Sequence, residues 1–241
     1  MDWKGMLSAV SKPDKNAATY ELSTDFKYTG LQEYPRPQLQ RKSYINLNGT
    51  WDYRITDSKG ACVCEGPIEV PFSPEAKLSG TVGHVLKSDE TLEYSKVFVL
   101  EKVKKSKHLI LHFGAVDQVC QVSINGINLG THEGGYTSFS FDISDFILEG
   151  DNEIKVKVWD YLDAIGHARG KQSYEPSGMW YSAQSGIWQT VWMEWVPEAY
   201  VTSLKIRPDI DDDSLEMELK ISELKGDVTI SSSNQDLIKI I

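Results

Sequence analysis

Residues 122–129 read Val-Ser-Ile-Asn-Gly-Ile-Asn-Leu, and this stretch decides the fold class. Apolar and polar residues alternate on both sides of Asn125-Gly126, with the period of two that is typical of a half-buried β-strand. A tight two-residue hairpin turn needs positive φ angles, which an Asn-Gly pair tolerates best. The stretch therefore predicts a β-hairpin.

The alternation continues along the chain on either side of this hairpin. Period-two patterns predict further strands at residues 51–55, 97–103, 108–113, 139–143, 154–158, 187–195 and 201–206. Turn signals separate these short segments, and no segment has the pattern of a long helix. Many short strands with frequent turns are typical of an all-β protein built as a β-sandwich or a jelly roll.

The composition excludes several classes of partner. A formal net charge of -10 disfavours nucleic acid and anionic membranes, both of which attract Lys and Arg. The sequence has no apolar run of about 18 residues and no apolar signal-peptide segment near its start. Cys62, Cys64 and Cys120 match no zinc or disulfide spacing, so we interpret them as free thiols. We expect a cytoplasmic protein without nucleic-acid or membrane partners.

Two groups of residues resemble metal ligands but lack the geometry for a metal site. His108 and His112 lie on one predicted strand, where four residues span roughly 13 Å, too far for one zinc ion to bridge. We interpret both as solvent-facing histidines. The acidic run at residues 209–213 lacks the ligand spacing of a calcium loop, so we interpret it as a solvated turn. We therefore expect neither a metal ion nor a cofactor.

Composition divides the chain into three predicted parts. Residues 1–43 are polar and contain three prolines, which predicts an irregular arm on the domain surface. Residues 44–197 form the predicted sandwich. Residues 198–241 begin another set of strands, and about 40 residues rarely bury a stable core without disulfides or a metal. We therefore expect a truncated second sandwich that belongs to a longer polypeptide.

The segment at residues 161–186 has no sustained period and is long for a connection inside a domain, which favours a functional loop. Its carboxylates, cations, amides and aromatic rings suit the hydroxyls and C–H faces of a sugar. The candidate sugar-contacting residues are Asp160, Asp163, Arg169, Lys171, Gln172, Trp180 and Tyr181. The alternative is a loop that internal salt bridges hold over the end of the sandwich.

The strand predicted at residues 187–195 is apolar on both faces. Trp188 and Trp192 share one face, and Trp195 lies on the other with Val191 and Met193. A strand that is apolar on both faces is buried on both faces. We therefore predict that the three tryptophans pack in the core or against a neighbouring domain, and do not bind sugar.

Several short motifs follow one another across residues 40–196, and their order and spacing carry a family resemblance. They are Leu47-Asn48-Gly49-Thr50-Trp51, Val122-Ser123-Ile124-Asn125-Gly126, Glu133-Gly134-Gly135-Tyr136, Asn152-Glu153-Ile154, Ala168-Arg169-Gly170-Lys171-Gln172 and Ser185-Gly186-Ile187-Trp188-Gln189. Together they resemble the amino-terminal sugar-binding domain of glycoside hydrolase family 2, as in β-galactosidases and β-glucuronidases. At residues 93–96 the chain departs from that pattern, because relatives often carry a Trp-Tyr-Arg-like run there.

The resemblance implies a galactose-binding-like jelly roll, with residues 198–241 starting an immunoglobulin-like β-sandwich. It also implies that retaining hydrolysis of O-glycosyl bonds belongs to a TIM barrel later in the same polypeptide. We expect no such barrel within these 241 residues, since eight β/α units need about 250 residues. Asp160 matches a position where some family members bind the sugar with a carboxylate, and Asp163 is the weaker match. We expect this chain alone to be inactive.

Two other functions stay open from the sequence. One is a stand-alone carbohydrate-binding module, and the other is a structural or oligomerisation domain. The resemblance leaves the sugar undecided among galactose, glucuronate and mannose, although Arg169 and Lys171 would suit an acidic one. It also leaves open whether the protein forms a homo-oligomer.

Overall fold

The computed structural model of the protein describes residues 32–104, 107–162 and 166–223. These ranges contain sixteen β-strands, two short 3-10 helices at Pro37–Leu39 and Lys77–Ser79, and no α-helix. The strands are β1 (Tyr44–Asn46), β2 (Gly49–Thr56), β3 (Cys62–Val70), β4 (Thr91–Leu100), β5 (Lys107–Phe113), β6 (Val116–Asp117), β7 (Val119–Ile124), β8 (Ile127–Glu133), β9 (Phe139–Asp142), β10 (Gly150–Trp159), β11 (Gln172–Ser173), β12 (Tyr181–Ser182), β13 (Gly186–Ile187), β14 (Val191–Pro197), β15 (Val201–Asp209) and β16 (Ser214–Ile221).

Ten of these strands form two antiparallel sheets. The six-stranded sheet has the order β3-β2-β4-β10-β7-β8, and the four-stranded sheet has the order β1-β14-β5-β9. Several neighbouring strands are far apart in the sequence, such as β4 with β10 and β5 with β14. The prediction of an all-β jelly-roll sandwich is confirmed. No helix in the ranges given above is long and apolar enough to cross a membrane.

The hairpin that decides the fold class forms as predicted. Ile124 and Ile127 are paired across the turn, and β7 and β8 are antiparallel. Asn125 and Gly126 have φ angles of 50° and 80°, which places both in the left-handed region that this turn requires. The period-two pattern and the turn residues therefore agree on one local structure.

The core lies between the two sheets and follows the predicted alternation. From the six-stranded sheet it takes Trp51, Tyr53, Ile55, Leu92, Tyr94, Val122, Ile124, Ile154, Val156 and Val158. From the four-stranded sheet it takes Leu109, Leu111, Phe113, Val191 and Met193. Alternate residues of β2 and β10 face this core while their neighbours face solvent, so most of the strand faces were predictable.

The four-stranded sheet is also covered on its outer face. Glu194 lies there, and its side chain is completely buried by contacts with Tyr34, Arg36 and Arg41 from the segment before β1. This cover explains why β14 is buried on both faces. The outcome contradicts the solvent-facing prediction for His112, which is buried beside Glu194, whereas His108 is partly exposed.

Two predicted strand boundaries are wrong. The strand predicted at residues 97–103 is the end of β4 and stops at Leu100. The strand predicted at residues 187–195 is divided into β13 and β14. As a result Trp188 is only half-buried and donates its Nε1 hydrogen bond to the Gly135 carbonyl at 2.7 Å. Trp192 and Trp195 are buried as predicted, with exposures of 4% and 7%.

A two-stranded antiparallel ribbon of β15 and β16 follows the sandwich. The acidic run at residues 209–213 forms an exposed turn in which Asp209 accepts hydrogen bonds from the backbone of Asp211 and Asp212. The remaining strands predicted for this part lie at residues 224–241, outside the described residues. The immunoglobulin-like second domain and the three-part division therefore stay predictions.

Candidate functional site

The candidate site lies where the chain crosses between the sheets. The two-residue strand β6 follows β5 of the four-stranded sheet and precedes β7 of the six-stranded sheet. It pairs with β13 instead, so that Asp117 lies opposite Gly186. Asp117 and Gln118 interrupt a long apolar stretch, and the crossing buries both of them, leaving 4% and 1% exposed.

Asp117 and Gln118 have hydrogen-bonding capacity that the described protein atoms do not use. Gln172 donates from Nε2 to Asp117 Oδ2 at 3.1 Å, but the buried Oδ1 has no partner. Both amide atoms of Gln118 are likewise buried and unpartnered. A buried polar group without a partner costs roughly 1–3 kcal/mol, so such a cluster is typical of a ligand site.

A second buried carboxylate, Asp160, follows β10 and is 4% exposed. Its Oδ1 accepts a hydrogen bond of 2.8 Å from the backbone of Leu162. Burial, together with the negative charge of Asp160, raises the pKa of Asp117 to about 7, although the Gln172 hydrogen bond acts in the opposite direction. Burial also raises the pKa of Asp160. Both carboxyl groups therefore ionise less readily than free ones, mainly because burial disfavours their charged forms.

Glycine makes the close packing around Asp117 possible. A Cβ atom built on Gly135 would lie 2.1 Å from Asp117 Oδ1, which is an impossible contact. Gly186 plays the same part opposite, since a Cβ atom there would lie 2.0 Å from the buried Tyr94 hydroxyl. Gly135 therefore lets the backbone pack directly against the carboxylate, and Gly186 lets the strand opposite Asp117 pack against Tyr94.

The loop after Asp160 is fixed to the site by hydrogen bonds. Gln172 Oε1 accepts from the Gln184 backbone at 2.6 Å, which orients the amide so that Nε2 reaches Asp117. Glu75 accepts from the Ser185 backbone and hydroxyl at 3.1 Å and 2.7 Å. Burial raises the pKa of Glu75, although the Ser185 hydrogen bonds act in the opposite direction.

The other predicted sugar contacts lie further out on the same loop. The Arg169 guanidinium lies 5.8 Å from the centre of the Trp180 ring, a cation–π distance. The Lys171 carbonyl accepts from the Tyr181 backbone at 2.7 Å, next to the short pairing of β11 with β12. Trp180 is 39% exposed and Tyr181 67% exposed. Asp163 lies outside the described residues.

The structure thus brings Asp160 and Gln172 to one place and sets an exposed aromatic edge beside them. Sequence reasoning missed Asp117 and Gln118, which supply three buried side-chain atoms without a partner among the described atoms. The available signal was a pair of polar residues inside the apolar run from Leu109 to Val122. Buried polar residues need hydrogen-bond partners, and Gln172, which bonds Asp117, comes from a distant loop.

The chemistry of the site is hydrogen bonding. A protonated carboxyl donates and an ionised one accepts, while the Gln118 amide can do both. Such a set suits adjacent hydroxyl groups. Within the described residues no group of three or more His, Cys, Asp and Glu side chains is arranged to hold a metal ion.

Comparison with known families agrees with this geometry. Residues 67–197 match the family model described as glycosyl hydrolases family 2, sugar binding domain. The match covers β4 to β14, and it includes Asp117, Asp160 and the intervening loops. The chain belongs to glycosyl hydrolase family 2.

Curated relatives of this family 2 chain include β-galactosidases and β-glucuronidases. It is 31% identical over 195 residues to a β-galactosidase of Lactococcus lactis, covering 77% of this chain and 17% of the relative. It is 28% identical over 148 residues to a putative β-glucuronidase of Formosa agariphila, covering 61% of this chain and 16% of the relative. The family 2 chain thus spans about a sixth of the length of these relatives.

Solved structures support the same fold. A β-glucuronidase of Faecalibacterium prausnitzii superposes with a TM-score of 0.57 at 20% sequence identity, over 80% of this chain and 37% of the other. At that identity the likeness establishes the fold of the family 2 domain alone.

Proposed function

We propose that this chain is the non-catalytic, sugar-binding part of a family 2 glycoside hydrolase and binds the terminal sugar of a β-glycoside. The observation that carries the proposal is the buried carboxylate pair, Asp117 and Asp160, beside the unpartnered amide of Gln118. A sugar provides several hydroxyl groups at fixed spacing, and each can both donate and accept a hydrogen bond. The site offers the matching acceptors and donors.

In this proposal the two carboxyl groups have different tasks. Asp160 accepts a hydrogen bond from one hydroxyl, and Asp117 exchanges hydrogen bonds with its neighbour through the free Oδ1. Gln172 holds Asp117 in place from the other side at 3.1 Å. The exposed rings of Trp180 and Tyr181 then face the C–H surface of the sugar or of the group attached to it.

We propose that catalysis belongs to a TIM barrel elsewhere in the same polypeptide. Retaining hydrolysis needs two carboxyl groups on opposite sides of the scissile bond, about 5–5.5 Å apart, one as the nucleophile and one as the acid/base. Asp117 and Asp160 are instead a hydrogen-bonding set that positions the sugar. Positioning lowers the barrier when these bonds strengthen toward the transition state.

A binding titration of the 241-residue chain tests the sugar site. Galactose, glucuronate and mannose are titrated by NMR into the wild type and the Asp160→Asn variant. Asp213→Asn, the same change at an exposed turn, is the matched control. We expect one neutral sugar to bind weakly to the wild type and the control, and at least tenfold more weakly to the variant. Equal binding to all three proteins would remove Asp160 from the site.

A kinetic experiment tests whether this chain binds the sugar while another part of the polypeptide catalyses hydrolysis. We expect the 241-residue chain to show no turnover of nitrophenyl glycosides, and Asp160→Asn in the longer polypeptide to lower kcat/KM. Turnover by the short chain would overturn the non-catalytic assignment. Tight sugar binding by the short chain, with no barrel in the gene, would instead favour a stand-alone carbohydrate-binding module.

A further inference from the structure

A second polar cavity lies on the outer face of the four-stranded sheet. Its volume is about 300 Å³, within the range of small-molecule sites. The residues that matter for its chemistry are Arg36, Arg41, His112, Trp192, Glu194 and Tyr200. It shares no lining residue with the contacts of Asp117, and its charge is of the opposite sign.

The residues that line this cavity include two arginines and one carboxylate. Glu194 is its only acidic lining residue among those described, and two arginines bind it, Arg36 at 2.7 Å and Arg41. The same carboxylate accepts from His112 Nε2 at 3.0 Å and lies 2.6 Å from the Tyr34 hydroxyl. One carboxylate therefore balances two guanidinium groups.

Two buried donors in the lining residues have no partner among the described atoms. They are Arg36 Nε and Trp192 Nε1. Trp192 is 4% exposed, and its ring stacks on His112 with 4.8 Å between ring centres. The stacking fixes the indole and its N–H direction. Buried N–H groups of this kind require an acceptor, and the surplus charge favours an anionic one.

We propose that this cavity binds the carboxylate of a small organic acid of monosaccharide size, such as a free uronate. One carboxylate accepts hydrogen bonds from Arg36 Nε and Trp192 Nε1 and balances the surplus guanidinium charge. A neighbouring cavity of about 450 Å³ shares Arg36, Ser138 and Trp192 and provides room for hydroxyl-bearing carbons. The site is separate from the proposed sugar site, where two carboxyl groups would repel an anion.

The test compares two ligands that differ only in the carboxylate. Glucuronate and glucose are titrated calorimetrically into the 241-residue chain, into Trp192→Phe and into Trp159→Phe. The first variant removes an N–H that no protein atom uses and keeps an aromatic ring against His112. The second makes the same change on the other sheet, where the indole is bonded to Thr91 at 3.0 Å.

We expect glucuronate to bind the wild type and Trp159→Phe equally, and Trp192→Phe at least tenfold more weakly, because a hydrogen bond to a charged acceptor is lost. Glucose should not bind at this cavity. Equal affinity for glucose, a Trp192→Phe affinity within twofold of the wild type, or an equal loss in both variants would each overturn the proposal.

NMR provides a readout that does not depend on affinity. The chain has seven tryptophans, and the indole N–H signal missing from Trp192→Phe belongs to Trp192. That signal should shift on addition of glucuronate and stay in place with glucose. A stationary Trp192 signal during glucuronate binding would place the anion elsewhere and refute the assignment.

Discussion

Replacing Asp117 with Asn should reduce the loss of folding stability that the protein suffers as the pH rises. The substitution keeps an oxygen to accept the Gln172 hydrogen bond and removes the ability to ionise. Burial, together with repulsion from Asp160, raises the Asp117 pKa from 3.8 to about 7 in the folded protein. Because the folded-state pKa is the higher one, folding is favoured when Asp117 is protonated. That contribution is complete below about pH 4 and is lost as the pH rises through about 7.

The size of the effect follows from the two pKa values. A shift of this size corresponds to about 4 kcal/mol at high pH, since each unit is worth 1.36 kcal/mol. Between pH 5 and pH 8 the wild type should lose roughly 2–3 kcal/mol more than Asp117→Asn. For a chain of this size that corresponds to a difference in Tm of roughly 5–10 °C.

Other groups titrate in the same interval and must be separated from Asp117. Burial raises the pKa values of Glu75 and Asp160, so both act in the same direction. Burial lowers the pKa of His112, so His112 adds stability as the pH rises through its usual value. The useful quantity is therefore the difference in unfolding free energy between the variant and the wild type at each pH.

The assay is urea denaturation followed by tryptophan fluorescence at pH 5, 6, 7 and 8. Asp213→Asn is measured in parallel as the same chemical change at an exposed turn residue. We expect Asp117→Asn to gain stability relative to the wild type steadily across the series, and Asp213→Asn to show no such trend. A constant difference at all four pH values would refute the raised pKa and the electrostatic argument for the site.

Two further substitutions test the packing around the two polar clusters. Gly135→Ala should destabilise the protein by about 1–3 kcal/mol, because its Cβ would overlap Asp117, whereas Gly166→Ala, with nothing within 4 Å, should be near neutral in the same urea titration. Glu194→Gln should cost about 3 kcal/mol, since it leaves two arginines with no balancing charge, and Glu216→Gln in an exposed pair should cost under about 1 kcal/mol. Equal losses at Glu194 and Glu216 would contradict the burial argument. Although burial opposes it, hydrogen bonding lowers the Glu194 pKa from 4.5 to about 2. In the wild type this contribution to stability should be complete above about pH 4.5 and be lost as the pH falls from there through about 2, and the variant should show no such loss in acid unfolding.

Several parts of the fold were predictable because their determinants are local. Alternation fixes which residues of β2 and β10 face the core, and Asn125-Gly126 fixes the hairpin through its φ angles. The candidate loop was identifiable from its lack of period. Asp160 was predicted from the family resemblance at the end of a strand, and its role stays a prediction.

The parts that sequence reasoning missed depend on residues far apart in the chain. His112 was predicted to face solvent because side-chain alternation separates the two faces of a strand but does not show whether another segment covers the outer face. The segment holding Tyr34, Arg36 and Arg41 covers it, through bonds to Glu194 that span more than 150 positions. Trp188 likewise leaves its predicted strand to reach Gly135.

The sequence by itself determined an all-β sandwich, the faces of most strands and the loop that approaches one end, because side-chain alternation and turn angles act over a few residues. Only the tertiary structure decided that Asp117 joins Asp160 in one buried pair and that a second polar cluster forms around Glu194. Both depend on which distant segments meet, and burial among those segments raises the pKa of the first pair while hydrogen bonds lower that of Glu194.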